Sequence, residues 1–259
     1  MLFKKPIGIL FFISSALLSL PANADGLTDL KRAIAQLKEP TAFTAQISAD
    51  LKSTNTEGDE QINKEGKTSF HIQQTNAGLQ IHYDNTLLQQ IDAETQEKQK
   101  NPATKTPTTE AMNRFNYSEL STLLYPVRDI ERDLERAVFK HEEQVTYEGK
   151  PARLLHLTIP LDNLPSEERR NLKKYKTNLK IWIDENGIPL ASSSKGKGSG
   201  RVMLVIGFEF HFDVNKTYSR IGNRLLTTTL NLTSGGGGAG MTGNETINAT
   251  LKLLDNTNL

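Results

Sequence analysis

The chain has 259 residues, with 31 lysines and arginines against 30 aspartates and glutamates, and it contains no cysteine. A balance this close to neutral argues against nucleic acid, whose binding needs a basic face to displace counterions. With no disulfide available, stability must come from core burial, and a lipid attached through an N-terminal cysteine is excluded.

The start, Met1-Leu2-Phe3-Lys4-Lys5, is short and basic, and an apolar run from Ile7 to Leu20 follows it, broken only by Gly8, Ser14, Ser15 and Ser19. The run ends in Pro21-Ala22-Asn23-Ala24, with small residues spaced as Ala-x-Ala. This layout predicts a cleavable export signal over residues 1–24, cut after Ala24, and hence a periplasmic protein. The alternative, an uncleaved anchor, is disfavoured because the run is short for a membrane span. No later stretch reads as a transmembrane helix. Cleavage removes Lys4 and Lys5 and no acid, leaving 235 residues with 29 bases and 30 acids. That length suits one domain over residues 25–259.

In the mature part, Leu27, Leu30, Ile34 and Leu37 form one apolar stripe, which predicts a helix ending before Pro40. Phe43, Ala45, Ile47, Ala49 and Leu51 then alternate with polar residues, the period of a half-buried strand. A hairpin is predicted between residues 67–74 and 79–84, turning at Asn76-Ala77. It pairs Ile72 with Ile81 and Phe70 with Tyr83 on one face, and His71 with His82 and Gln73 with Gln80 on the other. Residues 87–100 read as an exposed helix, and the Pro-punctuated, charged stretch at 92–113 as a flexible insert.

A helical region resumes near Tyr117, and Pro126 is expected in the first turn of the next helix. There Val127, Ile130, Leu134, Ala137 and Val138 make the buried stripe, while Arg128, Asp129, Glu131, Arg132, Asp133, Glu135 and Arg136 are expected in water. Hairpins follow, turning at Glu148-Gly149 and at Asn186-Gly187, the latter setting Ile183 opposite Leu190 and Trp182 opposite Ala191. A short helix is expected over residues 166–174. Residues 201–213 read as the longest strand, with Val202, Leu204, Ile206, Phe208, Phe210 and Phe212 on one face. Gly222-Asn223 turns the chain, and Ile247, Ala249, Leu251 and Leu253 mark the last strand. The fold class is α+β, mainly antiparallel: a curled sheet or incomplete barrel of about ten strands, with two to four helices against it.

Motifs for chemistry are few. Among His71, His82, His141, His156 and His211, no pair has His-Glu-x-x-His or His-x-His spacing. His71 opposite His82 is the one cross-strand cluster visible, with Asp84 as the nearest carboxylate, and two solvent-facing rings are its plain explanation. Gly196-Lys197-Gly198-Ser199-Gly200 is neither a nucleophile elbow nor a phosphate loop. The stretches 192–201 and 234–243 read as glycine-rich loops. Acid pairs such as Glu142-Glu143 lie in polar surroundings that offer no burial to separate their pKa values. No catalytic residue, metal site or cofactor is assigned. What remains is apolar area: Phe43, Ile47, Leu51, Phe70, Ile72, Ile81, Tyr83, Ile181, Ile183, Phe208, Phe210 and Leu230. These form either a plain core under the helices or the lining of a cavity left by a curled sheet.

The chain resembles the lipoprotein-carrier superfamily of bacterial envelopes, the LolA/LolB-like fold. The likeness rests on the helix and strand following the signal, on the hairpin Val145-Thr146-Tyr147-Glu148-Gly149-Lys150-Pro151-Ala152-Arg153, and on the run Trp182-Ile183-Asp184 to Asn186-Gly187-Ile188-Pro189. It implies a half-barrel closed by helices over a hydrophobic cavity, and no single functional residue carries over. The insert at 92–113 and the glycines at 235–238 depart from the pattern. Two roles are expected from it: a non-catalytic binder or carrier of lipid or lipoprotein acyl groups, or an envelope regulatory or assembly module that binds a protein partner.

Overall fold

The computed structural model describes residues 25–38, 41–203 and 205–254. The expected signal at 1–24 lies outside the described residues. Among the described residues, no helix is long and apolar enough to cross a membrane.

Helix α1 (Gly26–Gln36) starts at Asp25, whose carboxylate accepts the Leu27 amide, and it buries Leu30 and Ile34 as the stripe requires. Strand β1 (Phe43–Glu57) turns at Gly58 into β2 (Glu60–Thr75), which turns again into the short β3 (Gly78–His82). The predicted register holds, with Ile72 opposite Ile81, His71 opposite His82 and Gln73 opposite Gln80. Four helices follow: α2 (Asn85–Lys100), α3 (Pro107–Arg114), α4 (Tyr117–Leu124) and α5 (Pro126–Arg136). A meander completes the chain. It runs through β4 (Val138–Tyr147), β5 (Lys150–Thr158), a 3-10 turn at Leu161–Asn163, α6 (Ser166–Arg169), β6 (Leu172–Ile183), β7 (Pro189–Val202), β8 (Ile206–Ile221), β9 (Arg224–Gly238) and β10 (Met241–Leu254).

All ten strands form one open antiparallel sheet in the order β3-β2-β1-β10-β9-β8-β7-β6-β5-β4, as the fold class anticipated. The first and last strands, β1 and β10, pair as the third and fourth strands from the β3 edge, where Ile47 faces Leu251 and Ala49 faces Ala249. Two cores sit between sheet and helices. One gathers Phe43, Ile47, Phe70, Ile72, Leu226 and Leu230 beneath Phe115, Leu120, Leu123 and Leu124 of the α3–α4 region. The other packs Leu30 and Ile34 of α1, with Val127 and Ile130 of α5, on Leu155, Leu179, Ile181 and Ile183.

Several expectations need correction. The insert at 92–113 is mostly helical and anchored. Glu94 caps α3 from α2, accepting the Thr108 amide at 2.8 Å on one oxygen and the Thr109 amide and hydroxyl, each at 2.8 Å, on the other. Thr106, the N-cap residue of α3, makes no side-chain cap, so Glu94 supplies it from a distance. Arg114 closes the far end, donating to Glu245 at 2.6 Å through both Nε and Nη2. Asp129 is buried rather than in water, because Lys216 at 3.3 Å and Arg132 at 3.0 Å neutralise it in the first turn of α5. Burial likewise pushes the Asp133 carboxyl above its ordinary value. Val138 is exposed and opens β4 instead of closing the α5 stripe.

The expected helix at 166–174 is only one turn, since Leu172 already enters β6. Ile183 faces Pro189, not Leu190, because a bulge follows the Trp182–Ala191 pair. Six α-helices are described where two to four were expected.

The largest correction concerns residues 192–213. They are not a loop followed by one long strand. Strands β7 and β8 form a hairpin turning at Met203, which has a φ of 51°, so Val202 faces Ile206. The apolar alternation continues across this turn because it returns side chains to the same face. The glycines are strand residues chosen for room: Gly196, Gly198 and Gly200 face Phe212, Phe210 and Phe208. A Cβ at Gly196 would collide with the Phe212 ring. On the other side Phe210 and Phe208 face Gly236 and Gly238, so the stretch at 234–243 is also strand, with its turn at Ala239-Gly240. Rings lying across glycines restore packing that bare glycine strands lack. The hairpin tip is apolar and open to solvent, with Met203 81% and Val205 79% exposed.

The Glu94 cap makes a pH prediction. Burial raises its pKa, but the hydrogen bonds from Thr108 and Thr109 together outweigh it, so the carboxyl sits below its ordinary 4.5. A carboxyl depressed on folding stabilises above its unfolded value and loses that contribution as pH falls through the folded one. Glu94→Gln should therefore cost about 1–2 kcal/mol at neutral pH in urea unfolding, and clearly less near pH 3. An equal cost at both pH values would show that the carboxylate charge plays no part.

Candidate functional site

The twelve apolar residues singled out from the sequence fall into separate places. Phe43, Ile47, Phe70, Ile72 and Leu230 belong to the first core, Ile181 and Ile183 to the second, and Leu51 is buried beside β10. Ile81 and Tyr83 are 39% and 43% exposed, because β3 is a five-residue edge strand and the helices cover its neighbours instead. Phe208 and Phe210 lie half-buried among the strand glycines. These residues do not gather round one hollow. The helices that follow β3 bring Phe115, Leu120, Leu123 and Leu124 down onto the first core and fill it.

A cleft does remain, at the seam where the two cores meet. Its apolar walls are Leu37, Leu124, Val127 and Leu225, drawn from both cores, and Tyr117 and Tyr125 stand at its edge. It holds about 340 Å³, within the range of small-molecule sites. The sequence explains why it forms. Tyr125 separates α4 from α5, and Pro126 in the first turn of α5 cannot donate a helical hydrogen bond, so the helix path breaks between the two cores.

The polar groups of the cleft are mostly cationic. Lys38 is paired with Glu131 at 2.7 Å, while Arg128 and Arg224 add two further positive charges. Arg128 donates to the Ser121 hydroxyl and lies 5.9 Å from the centre of the Tyr125 ring. Arg224, the first residue of β9, is buried. Its guanidinium stands 5.0 Å from the Phe43 ring centre and 5.2 Å from that of Tyr125, and it donates to the Leu124 carbonyl at 3.2 Å. Burial pushes its pKa down, and Tyr125 partly offsets this. A cation stacked between two rings at the carboxyl end of α4 is well placed to meet the helix dipole. Sequence reasoning missed Arg224, although its place directly after the Gly222-Asn223 turn marks it as the start of a strand.

The histidine reading also changes. His71 and His82 are opposite one another, but no third ligand joins them among the described residues. Asp84, the expected carboxylate, is instead the N-cap of α2 and accepts the Leu87 amide at 2.7 Å. Glu142, read as an idle surface acid, accepts the Gly26 amide at 2.9 Å and so anchors the start of α1.

No protein-family model matches the chain, and no curated protein matches it. Among solved structures, a LolA superfamily protein from Nitrosomonas europaea is similar at 9% identity and a TM-score of 0.25, over 90% of this chain and 94% of that one. MucB, solved in complex with MucA(peri), is similar at 9% identity and a TM-score of 0.20, over 88% of this chain and 94% of that one. The first bears the same family name as the resemblance drawn from sequence. At scores this low neither likeness carries an argument, so the fold class rests on the sheet itself and the site on its residues.

Proposed function

We propose that this is an exported, non-catalytic binder of an acyl-chain amphiphile with an anionic head, seated in the cleft between α1, α4–α5 and β9. One observation carries the reading: the cleft at the seam of the two cores pairs apolar walls with two arginines. Apolar walls hold an acyl chain at roughly 25 cal/mol per Å² of buried surface without reactive chemistry. Arg128 and Arg224 supply the countercharge for a carboxylate or phosphate head. The export signal expected at residues 1–24 supports a periplasmic setting for such a binder.

A fluorescent fatty acid, dansyl-undecanoate, tests this directly. Wild-type protein should bind it saturably, one per chain. Val127→Trp, which fills the cleft, and Arg128→Glu, which reverses the charge beside Tyr125, should each weaken binding at least about tenfold while the circular dichroism spectrum stays that of the folded protein. Wild type binding no better than both variants would remove the proposal. The other reading, an envelope interaction module, is favoured by β4, an open sheet edge with Lys140, His141 and Glu143 exposed along it. Native mass spectrometry of the exported protein separates the two, since an added lipid mass supports the first and an added polypeptide the second.

A further inference from the structure

We propose that His141, Glu143 and His156 form a binding site for a borderline divalent cation of the Zn²⁺ class. The site stands on the β4–β5 hairpin and shares no residue with the cleft. His141 on β4 lies directly opposite His156 on β5, and Glu143 is two residues along β4, so all three side chains leave the same face of the sheet. The two imidazoles are stacked, with centres 4.2 Å apart and planes 12° from parallel. One Glu143 oxygen, Oε1, lies 3.0 Å from His141 Nε2 and 3.4 Å from His156 Nε2.

These separations decide between a surface ion pair and a ligand set. Two donors each about 2.05 Å from an ion, at the tetrahedral angle, are about 3.3 Å apart. The two His–Glu distances bracket that value, and the three ligand atoms all lie within 4.8 Å of one another. The remaining gap, between the two nitrogens, closes by rotation of the exposed His141 ring.

His156 supplies a second, independent observation. Its Nε2 is buried and makes no hydrogen bond, although Glu143 stands within 3.4 Å. A buried nitrogen left without a hydrogen bond is costly, and a metal ion would satisfy it. Two imidazoles and one carboxylate suit Zn²⁺, Cu²⁺ or Ni²⁺ better than Ca²⁺ or Mg²⁺, with water in the fourth position. One feature opposes binding. Lys180 on β6 faces His156 and sets a positive charge beside the ring.

The chain also contains its own control, since His71 and His82 form a second cross-strand pair with no third ligand among the described residues. The test is calorimetric titration of the full chain, purified without a histidine tag, with Zn²⁺. It is joined by electron paramagnetic resonance with Cu²⁺. One Zn²⁺ per chain is expected, and His156→Ala and Glu143→Gln should each lower affinity at least about tenfold. The His71→Ala/His82→Ala double variant should leave it unchanged, and Lys180→Met should raise it. The Cu²⁺ spectrum should carry hyperfine structure from two nitrogens. Absence of Zn²⁺ binding at about 100 μM, or an equal loss from the two histidine pairs, would overturn the proposal. Should His156→Ala fail to fold, His141→Ala, with its ring exposed, carries the same comparison.

Discussion

Leu123→Ala should lower the unfolding free energy by about 2–5 kcal/mol, the range for emptying a fully buried leucine site. Leu123 is 0% exposed and projects from α4 into the first core, against Leu226 and Leu230 of β9. The backbone around it cannot collapse easily. Below lies the paired centre of the sheet, and α4 is held at its start by a capping box in which Asn116 and Glu119 satisfy each other's amides. For a chain of this size the loss corresponds to a melting temperature about 5–15 °C lower. Leu253→Ala is the matching control. Leu253 lies in β10 but is 38% exposed, so its truncation should cost about 0.5 kcal/mol or less. Equal losses from both would mean that α4 does not cover the sheet as described.

The second large effect is expected from Arg224→Ala, at about 2–4 kcal/mol. Three contributions are lost together: two ring contacts, with Phe43 and Tyr125, and the hydrogen bond to Leu124 at the end of α4. The substitution also leaves that carbonyl without its Arg224 donor, which costs more than the bond itself was worth. Arg224→Lys should recover only a small part, because an ammonium cannot lie flat between two rings. Since Leu123 and Leu124 are neighbours on α4, the Leu123→Ala/Arg224→Ala double variant should lose clearly less than the sum. Strict additivity in chemical denaturation would show that Arg224 and α4 are not mechanically coupled.

Much of the fold was legible because its connections are short. Turns such as Asn76-Ala77, Gly222-Asn223 and Glu148-Gly149 announce themselves chemically, and each one determines the register of two strands. Glu148 and Gly149 have φ of 48° and 79°, as such a turn requires. That turn alone places His141 opposite His156, so the metal-ligand cluster was readable by counting outward from it. Along the chain His141 and His156 are fifteen residues apart, a spacing that matches no linear metal motif, so only pairing across this hairpin brings them together. The His71–His82 pair was found by that same counting.

Other features were misread because one local signal has two physical meanings. Glycine in Gly196-Lys197-Gly198-Ser199-Gly200 reads as flexibility until the phenylalanines of β8 are known to lie across it. The charged stretch at 92–113 reads as a mobile loop until Glu94 is seen to cap α3 and Arg114 to grip Glu245. In both cases the deciding partner lies on another element.

By itself, then, the sequence determined the antiparallel class, most of the hairpins and the burial of β1, because period-two patterning and turn chemistry act between residues close along the chain. Only the tertiary structure decided that the helices fill the concave face, that β1 closes on β10 across some two hundred residues, and that a cleft with Arg224 survives at the seam. Those outcomes depend on volumes and charges brought together from distant segments, and one-dimensional patterning does not encode how well such segments fit.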